Sequence, residues 1–384
     1  PMPRPLVCPN RECPHHRNPP RSWYIRFGTY RTKAHGVVQR FQCLLCGTTC
    51  SNQTESMHYF AKRRVSFRGI EAWLTAGATM REIARHYGLR PAVIERSVIR
   101  LGRQAMAAHA LMLLEVKPRR GLCADGLRSV VTSKDYPCDI TTVADPKGET
   151  IISAVHTTFI RGGTMRPEQK QRLEEKLEVW RPKVGTMRKD ISLVFHEMWD
   201  YLRPDVPNPI TIDTDEHPLY LYALGQDPAA RHWKTGDLLV HRRTSSTEPR
   251  TSKNPLAAVN YIDRMIRHRV REHFRQTTAI GRNANPQMHR FWIFAFDLNC
   301  RRPWRVRKPD AGVHAAQDTV PAAAVKRILR GFYTRRINLE EVPVPETLRR
   351  VWMQEVPTPP HLWRRGQKEA TGRVPAFAIR DLAA

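Results

Sequence analysis

No stretch of this sequence approaches the roughly 20 consecutive apolar residues that a helix needs to span a bilayer. The longest apolar run, Ala105–Leu114, is interrupted by His109. No charged-then-apolar leader opens the chain either, so an intracellular, cytoplasmic protein with no membrane partner is expected. Acidic residues are also in short supply, 36 against 64 Lys and Arg, which leaves a net charge of +28 and a pI near 10.5. An excess this large, spread along the whole chain, points to a polyanionic partner, nucleic acid first. It argues against a scaffold whose business is contact with other proteins. Cysteines number eight. In a reducing compartment they suggest metal binding or free thiols rather than disulfides.

What is present suffices for a folded, multidomain protein. The 384 residues suit two or three domains, and 41% of them are hydrophobic, enough to bury a real core. Residues 1–56 are punctuated by Pro, Cys and short polar runs. Cys8 and Cys13 form one close pair, Cys43 and Cys46 a second. Two such pairs about thirty residues apart can converge on one tetrahedral Zn²⁺. The segment between them alternates apolar and polar residues around Ala34, His35 and Gly36, a β-hairpin pattern. The expectation is a zinc ribbon, with the metal as a staple for a thin core. His15, His16 and Cys50 are further ligand candidates, with Cys50 placed as a structural residue.

Residues 57–117 read as helical. Thr79 and Glu82 have the capping-box spacing. Ala84, Gly88 and Ile94 have helix-turn-helix spacing, and Pro91 suits the first turn of the second helix. With Ile94, Val98 and Leu101 turned inward, Arg90, Arg96, Arg100 and Arg103 are left outward, a basic face suited to the major groove of DNA. Ala105–Val116 continues as an apolar helix, either a connector or an aid to self-association.

Residues 118–300 change period. Strands are predicted over Leu122–Thr132, Asp139–Ala144 and Thr150–Thr157. Asp125 lies on the first, while Asp135, Asp139 and Asp145 are placed in loops or turns. Two helices, Arg166–Val179 and Arg188–Leu202, read as an excursion from the sheet at about 161–206. Strands return at 209–218, ending in Asp215, and at Asp237–His241. The polar, basic stretch Arg242–Lys253 follows. Val259, Ile262, Ile266, Val270 and Phe274 then recur in steps of three and four, predicting one long helix within Lys253–Asn283. Arg264, Arg267, Arg271 and Arg275 crowd its other faces, and Asp263 and Glu272 sit among them. Met288–Asn299 is apolar enough to be buried, as helix or strand. Residues 301–384 are rich in Pro and Arg, with Trp304, Trp352 and Trp363 among cations. Parts of this region are expected to order only on DNA or in a dimer.

A strand with Asp, two more strands, a strand with Asp and a helix with an acid is the ribonuclease H-like layout. The chain resembles DDE-type transposases of bacterial insertion sequences, in particular the group with an N-terminal zinc ribbon and helix-turn-helix. The resemblance rests on CPNREC (8–13), RFQCLLCGTTCS (40–51), ADGLRS (124–129), TDEHPLY (214–220) and the segment from NPLAAVNYIDRMIR to TTAIGRN (254–283). It implies an α/β fold: a ribonuclease H-like mixed sheet with helices, preceded by the ribbon and the helical domain. Asp125 matches the first family acid and Asp215 the second. Arg275, Gln276 and Thr277 match the family's Arg-x-Thr unit. Counting back from it puts the third acid at Asp263, assisted by Asn260, with Glu272 as the fallback. The resemblance further implies Mg²⁺ or Mn²⁺ on these acids beside Zn²⁺ on the cysteines. It also implies strand cleavage and transfer on double-stranded transposon ends and target DNA, with no covalent protein–DNA intermediate, a homo-oligomer and a nucleoid location. The alternative is a transposase-derived DNA-binding protein without catalysis.

Overall fold

A computed structural model describes residues 4–203, 208–275, 277–360 and 373–382. The predicted positions Gln276 and Trp363 lie outside them. At the N-terminus a single helical turn, α1 (Pro14–Arg17), precedes a three-stranded antiparallel sheet of β1 (Tyr24–Thr32), β2 (Gly36–Cys43) and β3 (Thr49–Ser51), in that order. The expected hairpin is β1–β2. Its turn ends on Gly36, whose φ of 66° suits a residue without a Cβ.

Three helices follow: α2 (Phe67–Thr75), α3 (Met80–His86) and α4 (Pro91–Leu113). The capping box forms as the spacing predicts. Thr79 Oγ1 accepts from the Glu82 amide at 3.2 Å, and Glu82 Oε2 accepts from the Thr79 amide at 2.6 Å. Gly88, at φ 60°, makes the turn. Ala84, Ile94, Val98 and Leu101 are buried, as expected. The apolar stretch continues the second helix, as expected, in one unbroken 23-residue helix. One expectation fails here. Arg103 is not outward but buried, its guanidinium donating to the Trp352 carbonyl at 3.2 and 3.3 Å. Arg100 is half-buried, stacked 5.0 Å over the Phe377 ring. Both are covered by the C-terminal region, so of the four arginines only Arg90 and Arg96 are fully exposed.

The central sheet has the order β6-β5-β4-β7-β8. β4 (Gly121–Val131), β5 (Ser133–Asp145) and β6 (Thr150–Thr158) run as an antiparallel meander. After α5 (Pro167–Val179) and α6 (Thr186–Met198), β7 (Ile210–Asp215) pairs parallel to β4. After α7 (Pro218–Gln226) and α8 (Pro228–Thr235), β8 (Leu239–Thr244) pairs parallel to β7. Asp135, Asp139 and Asp145 are not turn residues: all three lie in β5 and are buried. Each is tolerated because a cation meets it. Asp145 takes the Arg119 guanidinium at 2.7 Å, Asp135 takes Lys176, and Asp139 takes Arg128 at 3.2 Å. The predicted excursion is only half one. α5 buries Leu173 alone, but α6 packs Ile191, Val194, Phe195 and Met198 into the core.

Side-chain alternation sends Leu122, Ala124, Ile210 and Ile212 into the core on the α4–α6 side of the sheet, and Cys123 and Leu127 into the core on the other side. That second side is closed by α9 (Ala257–Arg269) and α10 (Ala284–Cys300). The segment Met288–Asn299, ambiguous in sequence, is therefore helix. The C-terminal region adds a two-stranded ribbon of β9 (Pro303–Arg305) and β10 (Lys308–Val313), then α11 (Ala322–Leu329), α12 (Glu346–Trp352) and α13 (Ala376–Leu382). Contrary to expectation Trp352 is a core residue, its indole N–H donating to the Ala378 carbonyl at 2.8 Å. Trp304 does meet a cation, Arg305, at 3.9 Å. One apolar cluster runs from Met57 to Phe332, so the helical segment, the sheet and the tail share a core. No described helix is long and apolar enough to cross a membrane.

α4 and α10 cross closely at Gly102, where an added Cβ would lie 2.6 Å from His289 Cβ. Gly102→Ala is expected to destabilise by about 1–3 kcal/mol, the overpacking cost exceeding the gain of about 1 kcal/mol in helix propensity. Gly225→Ala, in α7 with nothing within 4 Å of its Cβ, should be neutral or stabilising by up to about 1 kcal/mol. Thermal melts of the two variants check the pair; equal melting temperatures would refute the close crossing.

Candidate functional site

Two groupings of chemically active side chains stand out. The first is the cysteine cluster. Cys8 and Cys13 flank the loop before α1, Cys43 ends β2 and Cys46 sits in the turn after it. The four sulfurs all lie within 4.8 Å of one another. Cys8 and Cys46 are 3.5 Å apart, Cys13 and Cys43 3.8 Å. These are close to the edge, about 3.8 Å, of a tetrahedron with Zn–S bonds of about 2.3 Å. The donor set and spacing therefore fit a structural zinc ion. Cys46 Sγ lies 3.2 Å from Thr48 Oγ1, and the Thr48 hydroxyl and amide, able to donate to a thiolate, bring its thiol down to about 6. Burial pushes Cys8 up. His15 Nδ1 lies 3.4 Å from Cys43 Sγ, outside the foursome but able to donate to a thiolate. His16 turns away to the Cys8 carbonyl and Glu340. Cys50 packs with Trp23 and Phe41, the structural place expected of it.

The second grouping is acidic. The parallel ladder pairs Cys123 with Asp213 and Ala124 with Thr214. One step further it sets Asp125 beside Asp215 at the carboxyl end of β7. Asp125 lies between Cys123 and Leu127 in the alternation, on the side of the sheet that α9 covers. α9 docks by Val259, Ile262 and Ile266, and this brings Asp263 within reach of the charge of Asp125. Burial raises Asp125 to about 6 against the pull of the Gly126 amide at 2.7 Å, and the charge of Asp215 adds a smaller push upward. Burial, then Asp125, push Asp263 well above the usual carboxylate range. Asp263 Oδ1 is buried without a hydrogen-bond partner. Asp215 Oδ1 accepts from the His217 amide at 2.8 Å. These carboxylates are less tightly drawn than the sulfurs: among the described residues the cysteines are the one group of three or more potential ligands mutually within 4.8 Å.

Asn260 lies on α9 one turn before Asp263 and is half-buried. Glu272 is placed elsewhere. The predicted long helix stops at Arg269, Val270 is extended, and Glu272 falls in a separate short turn over 271–273. Its carboxylate is engaged by both ends of the Arg290 guanidinium, Nε at 2.9 Å. Arg264, Arg271 and Arg275 are exposed as expected, while Arg267 is half-buried and donates to the Arg128 carbonyl at 3.1 Å. Three neighbours of the acids were not predicted. Arg250 offsets the charge of both Asp125 and Asp263. Tyr220, buried on α7, is held as a phenol by burial and by Asp125, Asp139, Asp215 and Asp263 around it. Asp139 is the third. Arg250 had a signal in the basic run Arg242–Lys253; Tyr220 and Asp139 had none. No protein-family model matches the sequence, and no curated protein does.

Removing zinc with a chelator is expected to unfold the ribbon selectively, and Cys13→Ser to abolish stoichiometric zinc; metal analysis and near-UV circular dichroism check this. A raised carboxyl lets the folded state keep a proton that the unfolded chain releases. Without divalent metal, stability should therefore fall as pH rises from about 4 through about 6. Asp125→Asn removes this penalty and should stabilise the protein by about 1–2 kcal/mol at pH 7.5 and by little at pH 4. Equal melting shifts at both pH values would contradict the assignment.

Proposed function

We propose that the protein is a DDE-type transposase that binds the DNA ends of its element and carries out metal-dependent strand cleavage and strand transfer. The observation that carries this is the register of β4 against β7, which sets Asp125 beside Asp215 while α9 brings Asp263 to the same side. The sheet order, with an antiparallel meander joined to two parallel strands, supports a ribonuclease H-like reading of the fold. The α2–α4 unit with its Gly88 turn supports a helix-turn-helix, and the cysteine hairpin supports a zinc ribbon.

The acids fit a hard cation. They offer oxygen donors only, they repel one another, and one buried oxygen of Asp263 is unpartnered. Asp125, Asp215 and Asp263 would hold Mg²⁺ or Mn²⁺, which when bound supplies Lewis-acid activation of the attacking hydroxyl and charge stabilisation at the leaving oxygen. The rest falls to the protein's own groups. Burial and the neighbouring Asp125 favour the protonated form of Asp263, which limits the negative charge the site carries on its own. Arg250 and Arg267, beside the acids, are placed to meet a phosphate at the reacting strand. Exposed Arg264, Arg271 and Arg275 extend that basic surface, and Arg90 and Arg96 present one to a major groove.

The test is Mg²⁺- or Mn²⁺-dependent cleavage and joining of DNA carrying the element's own ends. Asp263→Ala should lose activity by about 10²-fold or more with DNA binding intact. Glu272→Gln should lower stability, since Arg290 loses its charge partner, and leave the folded fraction active. Loss of chemistry only in Glu272→Gln would overturn the site, and tight binding without cleavage under either metal would establish a DNA-binding protein without catalysis.

A further inference from the structure

From Cys13 to Thr54 the chain carries Arg17, Arg21, Arg26, Arg31, Lys33 and Arg40 and not one carboxylate. Within this acid-free segment β1 is exposed along nearly its whole length. Ile25, Phe27 and Tyr30 remain 47%, 41% and 39% exposed, although one face of the ribbon buries Trp23 and Phe41 against the cysteines. The register between β1 and β2 shifts between Arg26 and Thr29. Gly28, at φ 69° with nothing within 4 Å of its Cβ, makes that bulge possible. Bulges re-aim side chains, and here the side chain is Phe27. Ile25 pairs with Gln42, so Arg40, two residues along β2, shares its face. The Arg40 guanidinium lies 5.2 Å from the Phe27 ring centroid. The cysteine cluster and the apolar residues behind the sheet back this surface.

We propose that the outer face of the β1–β2 ribbon binds single-stranded nucleic acid, bases stacking on Phe27 and Tyr30 and phosphates meeting Arg40 on the same face and Lys33 at its turn. Exposed rings interleaved with cations are what unpaired bases on a phosphate backbone require. A duplex would use the cations and leave the ring faces in water. A second copy of this chain is disfavoured, since apposing two acid-free basic faces brings like charges together. The inference rests on the DNA-transacting reading for its partner. It is tested without Mg²⁺ or Mn²⁺, so its failure is distinct from a failure of strand transfer.

The experiment is fluorescence anisotropy of the zinc-loaded full chain with labelled dT20 and with a labelled 20-base-pair duplex. Phe27→Ala should weaken dT20 binding about fivefold or more, from a loss of about 1–3 kcal/mol per stacked base, and change duplex binding less than about twofold. Phe27→Trp should restore dT20 affinity. Val306→Ala, at a residue 87% exposed in the β9–β10 ribbon, should do nothing. Zinc content confirms that each variant is folded. Equal effects of Phe27→Ala on both probes, or no effect on dT20, would overturn the proposal. So would a drop in molecular mass by light scattering with dT20 affinity unchanged, which would mark the face as a protein interface.

Discussion

Two carboxylates held side by side by a parallel ladder are the constraint on which the rest of the molecule depends. Neighbouring strands are about 4.8 Å apart, so the step that follows the Ala124–Thr214 pair brings the backbones of Asp125 and Asp215 together. The charge of Asp215 is then one of the effects that raise Asp125, at a cost to the fold that contains them. The structure accepts this because β4 is the central strand of five, covered by apolar residues on both sides. The stability of the layers is thus spent at one end of two strands. A third carboxylate, on α9, joins them by virtue of a helix whose opposite face is anchored by Val259, Ile262 and Ile266.

The polar groups elsewhere in the interior behave differently. Asp135, Asp139 and Asp145 are as buried as the cleft acids or more so, yet each meets an Arg or Lys. Glu272 meets Arg290. Neutralised carboxylates of this kind secure one element to another. Asp125 and Asp263 have Arg250 and Arg267 in their field but, among the described residues, no ion pair of their own, the contrast on which the proposed role of these acids rests.

How much of this was legible beforehand follows from how local each signal is. The paired cysteines, the hairpin, the capping box and the strands bearing Asp125 and Asp215 rest on spacing over a few residues, and they stand where the spacing puts them. The end of α9 was not legible. Val270 and Phe274 continue the apolar steps of the helix. What turns the chain at Val270 is tertiary: the Glu272–Arg290 pair, and a 2.8 Å hydrogen bond between Ser129 Oγ and His273 Nδ1. Arg103 looked exposed because Ile94, Val98 and Leu101 define one buried stripe. The residues that bury its other side, Trp352 and the rest of the tail, lie some 250 positions away in sequence. Asp139 and Tyr220 were missed for the same reason, since an isolated acid or phenol declares nothing until its neighbours are known.

The continuity of α4 has a mechanical consequence. Its first turns carry the exposed Arg90 and Arg96, and about 16 Å further on, at a rise of 1.5 Å per residue, Gly102 is wedged against His289 of α10. Beyond that point the helix is buried to its end except at Leu111. No hinge separates the outer half from the inner, so the helix is a lever with its fulcrum at the Gly102 crossing. A tilt of about 10° would move the outer tip by about 3 Å, and any load on that tip is delivered through α10 to the layer that backs the acidic cleft.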